Sequence, residues 1–163
     1  MNRTLILACG NPLRGDDAVA LHLARQLREE LAGPELVVHT TQQWTPELAE
    51  PLSRCDLAIF LDASQRFSPG FVHCESVAPL AGAGHTLLTH TCNPALLLCM
   101  SRQFYNLVPR RAFSVTVGAQ SFAFSFSLST PVQNAVPEAI ARVRSILSGA
   151  TYAPSVLRSL ASL

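Results

Sequence analysis

Two adjacent carboxylates, Asp16 and Asp17, follow the turn residues Gly10-Asn11-Pro12 near the start of the chain. A third, Asp62, closes the apolar run Leu57-Ala58-Ile59-Phe60-Leu61, and an imidazole, His90, stands in Thr89-His90-Thr91-Cys92-Asn93-Pro94. Carboxylate oxygens with one imidazole nitrogen form a donor set suited to a borderline divalent ion such as nickel or zinc, with coordination positions left open for substrate. The same groups can also serve as a general base or acid. Each has a plain structural alternative. Asp16 and Asp17 can act as a helix cap and a first-turn acid matched to the helix dipole, and Asp62 can close an Asx-turn. Cys92 offers a soft ligand or a nucleophile, but its apolar neighbours favour an inert buried thiol. His22, His39, His73 and His85 have no evident partners.

These residues are far apart in sequence, so only the fold can bring them together. Thr4 to Cys9 is a continuous apolar run ended by turn residues, the pattern of a strand buried on both faces and expected near the sheet centre. Val19, Leu21, Leu23, Ala24, Leu27 and Leu31 mark an amphipathic helix that Gly33-Pro34 stops. Glu35 to Thr41 is a second strand, Pro46 to Ser53 a short helix begun by proline, and Leu57 to Leu61 a third strand ending on Asp62. Gly70 to Val77 alternates as an edge strand, and Ala78 to Gly84 is a small-residue loop. Asn93 can cap and Pro94 can start a helix reaching Tyr105, which leaves His90 at that helix's mouth. Ala112 to Gly118 is another strand and Pro131 to Leu147 a closing helix. Ser121 to Ser129 alternates Phe122, Phe124, Phe126 and Leu128 with small residues, fitting either a half-exposed strand or an apolar docking surface.

Strands alternating with helices predict a three-layer α/β/α sandwich with a mostly parallel, mixed central sheet, of the phosphorylase/hydrolase-like kind. In such sheets ligands sit beyond the carboxyl ends of the strands, at the switch point of strand order. Asp16 and Asp17 follow the first strand and Asp62 ends the third, so the carboxylates are expected to share one crevice. At 163 residues the chain has room for one domain, residues 1–163, with 148–163 as a loose tail.

Composition narrows the function further. Twelve basic residues, all arginine, face eleven acidic ones for a net charge of +1, which argues against nucleic acid held by a basic field. Arg110 and Arg111, with Arg102 nearby, form a basic cluster suited to a carboxylate contact or simply solvated. Charged residues are only 14% while hydrophobic residues are 48%, yet no apolar stretch approaches a membrane span, so a soluble chain with an apolar surface and no membrane insertion is expected. Five cysteines without C-x-x-C spacing predict reduced thiols and a cytoplasmic setting. The chain has no GxxxxGK phosphate loop, no GxGxxG and no G-x-S-x-G. A flavodoxin-like or nucleotide-binding domain would place phosphate beside two aspartates that repel it.

The segment Leu5-Ile6-Leu7-Ala8-Cys9-Gly10-Asn11-Pro12-Leu13-Arg14-Gly15-Asp16-Asp17 resembles the strand, Gly-Asn turn and acidic pair of the hydrogenase maturation proteases. These endopeptidases trim the C-terminus of the large subunit of nickel-iron hydrogenases. Phe60-Leu61-Asp62-Ala63, Thr89-His90-Thr91-Cys92-Asn93-Pro94 with Leu96-Leu97-Leu98, Val117-Gly118-Ala119-Gln120 and Leu128-Ser129-Thr130-Pro131-Val132 resemble later family segments in the same order, from about residue 4 to residue 147. The resemblance implies that Asp17, Asp62 and His90 are the metal-contacting and catalytic residues, with Asp16 as cap, helper or alternative ligand. It implies an aspartic-type endopeptidase acting on the precursor of a hydrogenase large subunit, with nickel supplied by that precursor and no organic cofactor. A monomer is expected. The alternative is a non-catalytic, nickel-sensing binding module or chaperone for the large subunit. Two departures stand out: Ala18 where the family often has glycine, and Gln42-Gln43-Trp44-Thr45-Pro46 where it often has Asp-Gly-Gly, which alters that side of the cleft.

Overall fold

In a computed structural model, residues 3–31, 33–81 and 92–149 are described. Among them, five strands form one sheet: β1 (Thr4–Cys9), β2 (Leu36–Thr41), β3 (Leu57–Ser64), β4 (Val72–Ser76) and β5 (Arg111–Gly118), in the order β2-β1-β3-β5-β4. All neighbours are parallel except β4, which runs antiparallel to β5 at the edge. β1 is interior, but β3 holds the centre, because the chain returns to the far side of β1 only after β2 has been laid down. The switch in strand order falls between β1 and β3, as the strand–helix alternation predicts.

Helices cover both faces. α1 (Val19–Glu30) and α4 (Thr130–Leu147) pack Val19, Leu23, Leu27, Ile140 and Val143 on Ile6, Ile59, Leu61, Val115 and Val117. The other face, Leu5, Leu7, Ala58 and Phe60, is covered by Leu48 of a 3-10 turn, by Leu52 of the short α2 (Ala49–Leu52) that continues it, and by Leu96 and Leu97 of α3 (Pro94–Tyr105). The three-layer sandwich follows from strands apolar on both sides. Each large side chain removed from water contributes roughly 1.5–3 kcal/mol before the entropy of ordering it. α3 starts as its sequence dictates: Asn93 Oδ1 accepts from the Leu96 backbone N–H at 2.9 Å and Pro94 occupies the first turn.

Three local expectations change. β3 runs two residues past Asp62, since Asp62, Ala63 and Ser64 pair with Thr116, Val117 and Gly118 of β5. Asp16 and Asp17 do not cap α1; they lie in a 3-10 turn, Gly15–Ala18, and Ala18 stands at the cap position. Ser121 to Ser129 forms no strand. Alternation of Phe with small residues supplies a face but no partner, and this segment instead bridges to Arg14 through Ser125. Phe124 and Phe126 are left 74% exposed, packed edge to face with ring centroids 5.2 Å apart. The Ser148 tail lies almost entirely outside the described residues. Among the described residues, no helix is long and apolar enough to cross a membrane.

Candidate active site

The apolar face under α2 and α3 turns polar toward the carboxyl ends of the strands. Along β3 it reads Ala58, Phe60, Asp62, Ser64, and along β5 Ala112, Ser114, Thr116, because alternate residues share a face. His73 and Glu75 of β4 continue it, with His73 Nε2 3.5 Å from Glu75 and the ring stacked on Phe67. The polar ones, Asp62, Ser64, Ser114, Thr116, His73 and Glu75, with Asn93 and Pro94 at the start of α3, line a cleft of about 560 Å³. A larger cleft of about 650 Å³ between α1 and the start of α4 is lined by neither Asp17 nor Asp62.

Asp62 is largely buried. Its Oδ1 accepts from the Ala63 backbone N–H at 2.8 Å and its Oδ2 from the Trp44 indole N–H at 3.3 Å. Burial pushes its carboxyl from 3.8 up to about 6; the two donors pull it down and the negative charge of Asp17 adds a further push upward. Asp17 belongs to the same neighbourhood by a second measure. Burial, then the charges of Asp62 and of Asp17, raise the Cys9 thiol to about 12, against a hydrogen bond from the Trp44 backbone. Both carboxylates therefore bear on the end of β1, as the switch-point argument requires.

The turn between β1 and the acidic pair is built by close approach. A Cβ on Gly10 would lie 2.0 Å from the Asp17 carbonyl oxygen, so only glycine lets the acidic turn settle on the end of the strand. Asp17 Oδ2 then accepts from the Asn11 backbone N–H at 2.9 Å, and Asn11 Oδ1 accepts from the Leu13 N–H at 2.9 Å. The Gly-Asn pair thus holds the second aspartate with its carboxylate partly open.

Asp16 has a different task. It is 1% exposed, and its carboxylate accepts from the backbone N–H groups of Gln120 (2.8 Å), Ser121 (3.2 Å) and Ser129 (2.6 Å) and from the Ser129 hydroxyl (2.8 Å). Burial alone would raise its pKa, but these donors outweigh it and hold the carboxyl below 3.8. Asp16 staples the loop that follows β5 to the acidic turn, so it is a scaffold carboxylate and not a free ligand. The helper role expected for it is structural.

His90 lies outside the described residues, as do the rest of residues 82–91. Among the described residues, no group of three or more His, Cys, Asp or Glu side chains is placed to hold a metal ion. The structure thus sets Asp17 and Asp62 near enough at the carboxyl end of the sheet for the charge of one to act on the other, although Asp17 does not line the cleft that contains Asp62, and the imidazole of the expected trio lies outside the described residues. Cys92 is a half-buried thiol whose pKa is raised by burial, in keeping with an unreactive sulfur. None of the five cysteines forms a disulfide among the described residues. Arg110 and Arg111 sit at the other end of the sheet, where Arg110 Nε is 3.9 Å from Asp56 and Arg111 stacks over Phe113, so they take no part in the crevice. Trp44 is the site residue that spacing alone does not single out; its place in the segment departing from Asp-Gly-Gly was the available signal.

Fold and site together define an α/β/α sandwich with an acidic pair at its switch point. No family model and no curated relative matches the chain. Solved structures do. The hydrogenase maturating endopeptidase HybD from E. coli superposes with a TM-score of 0.73 at 22% identity, covering 90% of this chain and 93% of that one. A [NiFe] hydrogenase maturation protease HycI from Thermococcus kodakarensis KOD1 gives 0.67 at 18%, covering 90% and 93%. The hydrogenase 2 maturation peptidase from Thaumarchaeota archaeon SCGC_AB-539-E09 gives 0.65 at 21%, covering 90% and 98%. At these identities the chain is shown to share their fold.

Proposed function

We propose that this protein is a hydrogenase maturation endopeptidase, which hydrolyses one peptide bond near the C-terminus of a nickel-loaded large-subunit precursor. The reading is supported by the charge of Asp17 bearing on Asp62 near the switch point of a fold shared with named hydrogenase maturation endopeptidases. The sequence resemblance around both carboxylates, and around His90, points the same way.

In this reading Asp17 and Asp62 present carboxylate oxygens, and His90 an imidazole nitrogen, to the nickel that the precursor brings as part of the substrate. Such an ion polarises a carbonyl or acidifies a bound water. A carboxylate of the site is suited to accept a proton from the attacking water and return it to the departing amine. Water adds across the C–N bond, leaving a new carboxylate on the large subunit and an amine on the released peptide. Because the ligand set is completed by the substrate, cleavage would depend on prior nickel insertion.

The test is incubation with candidate large-subunit precursors, with and without nickel, followed by intact-mass measurement. The expected result is loss of a C-terminal peptide only from the nickel-loaded form, abolished by Asp17→Asn and by His90→Ala with the fold intact. Trimming by the His90→Ala variant would overturn the ligand assignment. Tight binding to the precursor without any mass change would favour the nickel-sensing binding module instead.

A further inference from the structure

We propose that Trp44 is a positioning residue for Asp62, setting the direction in which that carboxylate presents its remaining lone pairs to the substrate. The inference rests on the reading of Asp62 as part of the working site. Two contacts carry it: the indole N–H donates to Asp62 Oδ2 at 3.3 Å, and the indole ring meets Phe60 edge to face, centroids 5.6 Å apart at 80°. The Trp44 backbone also lowers the pKa of the Cys9 thiol at the end of β1. Trp44 thus brackets the ends of β1 and β3, the two strands on either side of the switch point.

An aspartate needs such a bracket because its terminal torsion, between an sp³ and an sp² carbon, is broad and has no sharp minimum of its own. A carboxylate offers about four lone-pair sites. Here the Ala63 N–H takes one on Oδ1 and the Trp44 indole takes one on Oδ2, leaving the others in fixed directions. The Ala63 donor belongs to the next residue in β3, so it holds only the near oxygen. The far oxygen is held from another segment, and that segment is itself braced: the Thr41 hydroxyl donates to the Gln43 carbonyl at 2.7 Å, and the Leu48 N–H reaches Thr45 at 3.0 Å. Nothing larger than a hydrogen-bonding indole is needed for this, and a glycine at the same place could not supply it.

The decisive variant replaces Trp44 by benzothienylalanine, in which sulfur stands where the indole N–H was and the volume is kept. Partners that orient a ligating group typically matter 10–100-fold, so kcat for precursor cleavage should fall by about that factor with KM unchanged. In parallel, the single indole N–H resonance of this one-tryptophan chain should shift in Asp62→Ala. Should the isostere fold poorly, Trp44→Phe is read in the same way. Turnover within about twofold of wild type after removal of the donor, or an indole resonance indifferent to Asp62→Ala, overturns the positioning role and leaves the proposed function standing. Failure of the wild type to cut any precursor removes both.

Discussion

Replacing Asp62 by asparagine keeps the shape of the side chain and removes its titration, and the consequences reverse sign with pH. In the wild type the folded carboxyl sits at about 6 against 3.8 unfolded, chiefly through burial. A gap of about two pH units corresponds to about 3 kcal/mol, as an order of magnitude. Between those two values the folded chain binds more protons than the unfolded one, so this group's contribution is greatest below 3.8 and is lost as the pH rises through about 6. Asparagine carries no such loss. It does carry one acceptor oxygen instead of two, so either the Ala63 N–H or the Trp44 indole N–H must face an amide NH₂, which costs about 1 kcal/mol. Asp62→Asn should therefore be less stable than wild type by about 1 kcal/mol near pH 3.5, roughly, and more stable by about 2 kcal/mol near pH 7.5. For a chain of this length that gain is about 4–8 °C in Tm. Urea denaturation of both proteins across the pH range gives the difference curve directly. A flat curve, or a variant that is the less stable protein at neutral pH, would show that burial does not hold the Asp62 proton. A stabilised but inactive variant is the expected signature of a site that trades stability for chemistry.

Other perturbations separate scaffold from site. Asp16→Ala strips one acceptor from four donors and should destabilise the fold by about 3–5 kcal/mol in urea titration. Because the folded Asp16 carboxyl lies below 3.8, its contribution is present above that value and should fade as the pH drops further. Gly10→Ala places a methyl 2.0 Å from the Asp17 carbonyl, so it should reduce processing and stability together, whereas an alanine at the open Gly33 should leave processing unchanged. Cys9, raised to about 12, should react with thiol reagents far more slowly than a free thiol at mildly alkaline pH until the chain is unfolded; prompt labelling of the native protein would contradict its burial.

Much of the frame was legible because its signals are local. The apolar runs of β1 and β3, the three-and-four spacing of α1, and the Asn93-Pro94 start of α3 each specify an element from within a few residues. Parallel pairing then carries Asp17 and Asp62 to the same end of the sheet without further information. The Ser121–Ser129 segment shows where this reasoning stops. Its alternation is as regular as that of a strand, but strand formation needs a free neighbour, and its backbone groups go instead to Leu13, Gly15 and Asp16.

The sequence by itself determined which residues can do chemistry and, through strand–helix order, that Asp17 and Asp62 come to the same end of the sheet. Only the tertiary structure decided which of two adjacent aspartates is taken up by internal donors. Asp16 and Asp17 are alike in type and neighbours in the chain, yet one is consumed by donors over a hundred residues away and the other keeps an open face. The same holds for Trp44, whose indole meets a carboxylate on a different strand. Hydrogen-bond partners at long sequence distance leave no periodic trace, because what selects them is the packing of loops on a finished sheet and not any propensity of the residues themselves.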